Sequence, residues 1–128
     1  MEDAVKLKNA RGLLLRLHKK LVDRERMLYE GFNGSVTSGQ FLSILIEDPD
    51  FEWLRKFSTL IVDIDEMFDQ KDGFTMEAVD VHLQKLRELV TMKVEDERFR
   101  AKYQAALQQD FDAAAYQGEL KELLAIDT

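Results

Sequence analysis

The acidic stretch between residues 63 and 73 is the part of the chain whose residue types come closest to a metal site. It reads Asp63-Ile-Asp-Glu-Met-Phe-Asp-Gln-Lys-Asp-Gly73. A calcium loop places oxygen ligands at alternate positions, a glycine at the sixth and a bidentate acid at the twelfth. If Gly73 is the sixth position, Phe68 and Val79 take the first and twelfth, and neither side chain is a ligand. The spacing therefore predicts the solvated end of a helix followed by a glycine turn, and no metal site.

The two histidines are the other side chains that we considered for catalysis or ligand binding. His18 lies one position from a line of leucines, and His82 lies beside Leu83. Both positions are typical of boundary residues whose ring is exposed or hydrogen-bonded. The sequence has no cysteine, and it has no nucleotide-binding loop and no ordered Ser–His–Asp set. We therefore predict no catalytic residue, no cofactor and no metal, and we favour a protein that is not an enzyme.

Arg24 is a charged residue at a position where a heptad pattern places apolar side chains. The seam advances in steps of three and four, and Arg24 lies between its last two leucines. Its apolar members are Leu7, Ala10, Leu14, Leu17, Leu21 and Leu28. A buried guanidinium needs a carboxylate, because an unpaired buried charge costs several kcal/mol. We predict Asp65 as the partner, with Asp63 and Glu66 as alternatives. The competing interpretation is that Arg24 extends to solvent near the end of a bundle.

A second apolar line on the same stretch indicates self-association. Leu15, Val22 and Tyr29 recur every seven residues, on a different side from the leucine seam. A helix that is apolar on two sides is either buried among several neighbours or part of an oligomer. We predict a homodimer that uses these three residues, with a different protein partner as the alternative.

Charge is unevenly distributed along the chain, whose formal net charge is −7. Residues 1–32 carry eight basic and five acidic side chains (+3), residues 33–74 three and nine (−6), and residues 75–128 seven and eleven (−4). We expect the basic first helix to pack beside acidic neighbours in the same molecule. The overall sign argues against nucleic-acid binding. A nucleic-acid face would have to use the basic residues of the first helix: Arg11, Arg16, Lys19, Lys20 and Arg26.

Composition favours one domain, residues 1–128, built from long helices. The chain is 45% hydrophobic and has one proline and six glycines, so few residues that break helices are present. No apolar run reaches the length of a membrane span. The acidic first residues do not resemble a signal peptide. The absence of cysteine fits a reducing compartment. We therefore expect a cytoplasmic protein without membrane contact.

Helical periodicity predicts an all-α antiparallel bundle of about four main helices with a short end-capping helix. Helices are expected over residues 3–31, 48–70, 76–90 and 96–125. Thr37 with Gln40 forms a capping-box pattern, and Asp48 and Thr75 are further cap candidates. The short run 41–46 is read as the end-capping helix, with a buried strand as the alternative. Whether residues 96–125 form one kinked helix or two is left open.

Three segments together resemble a family of short bacterial proteins with no assigned activity. They are Leu13-Leu-Leu-Arg-Leu-His18, Glu47-Asp-Pro-Asp-Phe-Glu-Trp-Leu54 and Ile61-Val-Asp-Ile-Asp-Glu66. The resemblance covers residues 10–90 and implies a cytoplasmic bacterial helical protein. It implies no catalytic or binding residues.

Two functions are compatible with these patterns. The first is a non-enzymatic protein-interaction module that self-associates through its long first helix. The alternative is a small-molecule-binding or catalytic bundle with a pocket between helices, in which Trp53, Phe57 and Tyr103 would lie next to Arg24 or His82. Buried aromatic side chains are more often simple core than pocket lining.

Overall fold

The computed structural model describes residues 2–125, and all regular secondary structure in this range is helical. The elements are α1 (Glu2–Asn33), α2 (Ser38–Glu47), a 3-10 helix (Pro49–Leu54), α3 (Arg55–Phe68), α4 (Met76–Val90), α5 (Glu97–Gln109) and α6 (Phe111–Leu123). Residues 2–125 contain no strand, so the all-α prediction is confirmed and the strand interpretation of residues 41–46 is wrong. Met1 and residues 126–128 of the predicted domain lie outside the described residues.

The first helix, α1, is the common partner of most other elements. It contacts α3, α4, α6 and the 3-10 helix. Its seam residues are fully buried as far along as the fourth leucine: Leu7, Ala10, Leu14, Leu17 and Leu21. The predicted seam is therefore confirmed up to Leu21. The next leucine of the pattern, Leu28, is 40% exposed.

Side-chain caps determine where several helices begin. The Thr37 hydroxyl accepts a hydrogen bond from the Gln40 backbone N–H at 3.1 Å, and the Gln40 side chain accepts from the Thr37 N–H at 2.8 Å. Asp48 caps the 3-10 helix, and Thr75 caps α4. Each cap satisfies a backbone donor that the first turn of a helix leaves unpaired. All three predicted caps are confirmed.

Residues 48–70 do not form the single α-helix that the periodicity predicts. The stretch opens as the 3-10 helix, and α3 begins only at Arg55. The backbone N–H of Phe51 bonds to the Asp48 carbonyl at 3.1 Å, which is the three-residue spacing of the tighter helix. Phe51, Trp53 and Leu54 are all buried in this geometry. The tighter winding therefore buries three large side chains within one short segment.

The core contains a cluster of aromatic rings from three elements. Phe57 in α3 meets Tyr103 in α5 edge-on, with ring centroids 5.0 Å apart, and lies 5.8 Å from Phe99. Trp53 contacts both Phe57 and Tyr103. All four side chains are buried. The aromatic residues that we considered as pocket lining therefore belong to the core.

Residues 96–125 form two helices, which answers the question that the sequence left open. Asp110 has an extended backbone (φ −121°, ψ 109°) between α5 and α6. Its side chain accepts a hydrogen bond from the Ala113 N–H at 3.0 Å. One residue thus ends the first helix and caps the second.

Gln117 is a polar side chain buried between three helices. The Tyr103 hydroxyl of α5 donates a hydrogen bond to Gln117 Oε1. Gln117 Nε2 in turn donates to the backbone carbonyl of Val90 at the end of α4. Burial raises the pKa of the Tyr103 hydroxyl, so that the group stays protonated and acts as a donor. These bonds join α4, α5 and α6 inside the core.

Candidate functional site

The predicted stripe on α1 does not form one open face. Leu15 is exposed, whereas Val22 and Tyr29 are half-buried. The Tyr29 ring lies 6.0 Å from the Phe41 ring in α2 and 6.3 Å from the Phe51 ring in the 3-10 helix. The chain itself therefore covers much of the stripe around Tyr29.

Arg24 and Asp65 each have an ion-pair partner, but among the described residues they do not pair with each other. Arg24 Nη1 lies 3.1 Å from Glu25 Oε1, with both side chains only 11–12% exposed. Arg24 also donates to the Gln109 side chain. Asp65 accepts two hydrogen bonds from Arg11, at 2.9 and 2.8 Å.

The predicted pair fails because of where the two helices meet. Asp65 lies opposite Arg11, and thirteen residues along a helix correspond to about 20 Å, so Arg24 is out of its reach. Arg24 is paired with the neighbouring Glu25 carboxylate instead. Burial raises the pKa of the Glu25 carboxyl, and the nearby Arg24 opposes this.

The last turns of α1 carry an exposed apolar patch. Arg24 bonds to Gln109, the last residue of α5, and Lys20 pairs with Asp112 at 3.3 Å. The α5–α6 turn therefore lies beside residues 20–24, and α1 continues past it. We use the name α1 end surface for the exposed apolar side chains of this region, which are Met27, Leu28 and Phe32 of α1 and Phe111 at the beginning of α6.

The α1 end surface continues the pattern that builds the core. Leu28 is the next leucine of the seam after Leu21, yet 40% of its surface is exposed to solvent. Phe32, one turn further, is 91% exposed, and Phe111 is 87% exposed. Large apolar side chains that cluster on a surface mark interaction sites more often than singly scattered ones.

A groove between α1, α2 and α3 is the second surface that could bind another molecule. It has a volume of about 450 Å³. We call it the α1–α2–α3 groove, and its lining residues are His18, Val22, Leu42, Leu45, Ile46, Phe51, Leu54, Arg55 and Ser58. Most of these side chains are apolar.

The polar groups of the groove lie on α1 and α3. Arg55 Nη2 donates to the backbone carbonyls of Ile46 and, at 3.4 Å, Leu45 at the end of α2. The Ser58 hydroxyl donates to the Arg55 carbonyl at 3.2 Å. Burial lowers the pKa of His18, whose ring lies 6.4 Å from that of Phe57. The imidazole is therefore neutral at pH 7, and Arg55 supplies the positive charge of the groove.

The basic residues of α1 are largely matched by acidic groups of the same chain. The described pairs are Arg11 with Asp65, Lys19 with Asp23, Lys20 with Asp112, and Arg26 with Glu30. Two of these pairs join α1 to a neighbouring helix, as expected for a basic helix among acidic elements. The matching leaves less free positive charge for a phosphate backbone.

The remaining candidates for metal or acid–base chemistry have ordinary surroundings. Nδ1 of His82 lies 2.7 Å from the Ala78 carbonyl, one turn earlier in α4. Within residues 2–125, no group of three or more His, Cys, Asp or Glu side chains could hold a metal ion. In the same range no helix has the length and apolar character needed to cross a membrane.

Sequence reasoning missed the groove, although one signal was present. Residues 41–46 are apolar on every side except at Ser43, which is more than a helix with one buried face requires. Phe41 is buried, whereas Leu42 and Ile46 remain exposed. The excess of apolar residues in this short helix could have indicated a second apolar surface.

Comparisons of the chain with protein-family models, with curated proteins and with solved structures found no match.

Proposed function

We propose that this protein is a non-enzymatic interaction module that forms a homodimer through its long first helix. The observation that carries the proposal is the α1 end surface, where the leucine seam continues beyond the helices that cover it. The contact in the dimer is made by Leu28 and Phe32, with Met27 and Phe111 beside them.

The exposure of these side chains supports the proposal. Leu28, Phe32 and Phe111 are between 40% and 91% exposed, and Phe111 follows the α5–α6 turn that lies beside residues 20–24. Burying apolar area contributes about 25 cal/mol per Å², so covering large side chains in pairs favours association. A twofold axis would bring the same patch of both copies together. Leu15, which is also exposed, lies nearer the beginning of α1.

The same proposal includes the finer architecture and the location. We take residues 1–128 as one domain in which four main helices form an antiparallel bundle. Two contacts support opposite directions for α1 and α3, because Arg11 meets Asp65 whereas His18, later in α1, meets Phe57, earlier in α3. A cytoplasmic location belongs to the proposal, and the absence of cysteine supports it, because disulfides form in oxidising compartments. The bacterial origin rests on the resemblance of the three segments alone.

Native mass spectrometry and sedimentation over a range of concentrations test the dimer. We expect a mass of two chains for the unaltered protein, and of one chain for the double variant Leu28→Glu/Phe32→Glu. Both replaced side chains are exposed, so the helical circular dichroism signal and the unfolding midpoint should stay close to those of the parent.

The matched control is Val62→Glu/Val81→Glu, which places two glutamates at positions that are each 51% exposed on other helices. This variant should remain a dimer. A single-chain mass for the unaltered protein at every concentration, or equal dissociation of the control, would refute the proposed interface.

A second candidate function is small-molecule binding between helices. The α1–α2–α3 groove favours it, because a largely apolar cleft with a few polar groups is the usual form of a ligand site.

A further inference from the structure

We propose that the α1–α2–α3 groove binds a free single-chain carboxylate amphiphile, with the chain among the apolar side chains and the carboxylate at Arg55. The inference rests on the second candidate function above. It is independent of self-association, because the α1 end surface shares no residue with the groove.

The apolar part of the groove suits a hydrocarbon chain. Its walls come from three elements: Val22 of α1, Leu42, Leu45 and Ile46 of α2, and Phe51 and Leu54 of the 3-10 helix. The volume of about 450 Å³ lies within the roughly 300–1,000 Å³ of small-molecule pockets. The groove is thus large enough for a hydrocarbon chain of medium length, and most of the side chains around that chain would be apolar.

The charged part of the groove suits a carboxylate. Within the described chain, Arg55 uses Nη2 for the α2 carbonyls and occurs in none of the described ion pairs. A guanidinium has five N–H donors in a planar fork. Its remaining donors can therefore bind a carboxylate in two parallel hydrogen bonds.

The positive charge of Arg55 makes the groove favourable for an anion. None of the lining residues is acidic, and Arg55 is the one permanent cation among them. His18 is neutral at pH 7, because burial lowers its pKa, and it can still form a hydrogen bond. A cationic amphiphile would meet the guanidinium without a compensating carboxylate.

The ligand is taken from solution and not from a bilayer. The chain has a net charge of −7, whereas anionic lipid surfaces attract basic segments. The basic side chains of α1 nearest the groove are held in ion pairs, such as Lys19 with Asp23 and Arg26 with Glu30. Long-range attraction to a membrane is therefore weak.

Isothermal titration calorimetry with octanoate, decanoate and octan-1-ol, each below its micelle concentration or solubility limit, tests the inference. Burial of one methylene tightens binding about fourfold, so decanoate should bind about tenfold or more tightly than octanoate. Octan-1-ol lacks the charge and should bind about tenfold or more weakly than octanoate, since a hydrogen bond to a charged group contributes roughly that much.

Three variants locate the site. Arg55→Gln should lower the affinity for octanoate about tenfold or more and leave that for octan-1-ol unchanged. Leu42→Glu places an acid at the exposed rim and should weaken octanoate binding. Val81→Glu, on the outer face of α4, is the matched control and should bind as the parent does. Circular dichroism confirms that each variant is folded.

Several outcomes would overturn the inference. These are no octanoate or decanoate binding by the unaltered protein, equal affinity for octanoate and octan-1-ol, or an effect of Val81→Glu equal to that of Leu42→Glu. Binding of the aromatic anionic dye ANS that decanoate does not displace would also overturn it, while leaving the second candidate function standing.

Discussion

The buried hydrogen bonds of Gln117 allow a quantitative test of what holds α4, α5 and α6 together. Tyr103→Phe removes the hydroxyl and leaves Gln117 Oε1 buried without its donor. An unpaired buried polar group costs about 1–3 kcal/mol, so we expect this loss in the free energy of unfolding. Gln117→Met removes the side-chain amide that both hydrogen bonds share. It leaves the Tyr103 hydroxyl and the Val90 carbonyl unpaired, and the same reasoning gives about 2–5 kcal/mol.

The double variant Tyr103→Phe/Gln117→Met separates pairing from packing. It replaces both polar partners by apolar groups of similar size and leaves only the Val90 carbonyl without its side-chain donor. Its cost should be about 1–3 kcal/mol, which is less than the sum of the two single variants. The difference, about 2 kcal/mol at the lower end of these ranges, is the coupling between the hydroxyl and the amide.

Urea unfolding provides the assay. Fluorescence of Trp53, which contacts the Tyr103 ring, and circular dichroism should give coincident transitions for a two-state protein, and linear extrapolation gives each free energy. If the two single variants add within about 0.5 kcal/mol, the side chains act independently. That result would refute the view that their hydrogen bond stabilises the core.

Two further predictions concern charged side chains of α1. Because burial raises the pKa of Glu25, its contribution to stability is present below the carboxyl's unfolded pKa and is lost as the pH rises through the folded value. Glu25→Gln should therefore match the parent at pH 3 and be more stable at pH 7, because burial of the carboxylate outweighs its attraction to Arg24 and Arg24 keeps its hydrogen bond to Gln109. The reverse order in urea unfolding would show that the ion pair with Arg24 dominates. Arg11→Met breaks a pair with Asp65 whose side chains are 32% and 45% exposed, so it should cost no more than about 1 kcal/mol. Lys19→Met, in an exposed pair within α1, is the control with an expected cost near zero, and a loss above about 2 kcal/mol for Arg11→Met would contradict the argument.

The sequence predicted those features that depend only on neighbouring residues of one helix, namely the buried seam and the helix caps. The seam from Leu7 to Leu21 is buried because the three- and four-residue spacing places these side chains on one face, whatever the neighbours are. Thr37 and Thr75 cap their helices because the hydroxyl reaches a backbone N–H of the same turn. Neither result depends on how the helices pack against each other.

Tertiary placement accounts for what the sequence did not reveal. Periodicity indicated that Val22 and Tyr29 form a second apolar line, but it could not show that α2 and the 3-10 helix fold back over Tyr29. The same limit applies to Arg24, whose carboxylate partner is Glu25 and not the predicted Asp65. The spacing of residues along each helix does not determine the relative offset of α1 and α3, and that offset places Asp65 beside Arg11.

The order of α1 before its packing partners along the chain has a consequence for synthesis in the cell. Its seam packs against α3, α4 and α6, all of which leave the ribosome later. At roughly 5–20 residues per second, several seconds pass between the appearance of α1 and that of α6. During this interval the leucines of α1 are exposed to solvent and to chaperones. Stable burial of the seam is therefore expected only after translation has passed residue 123.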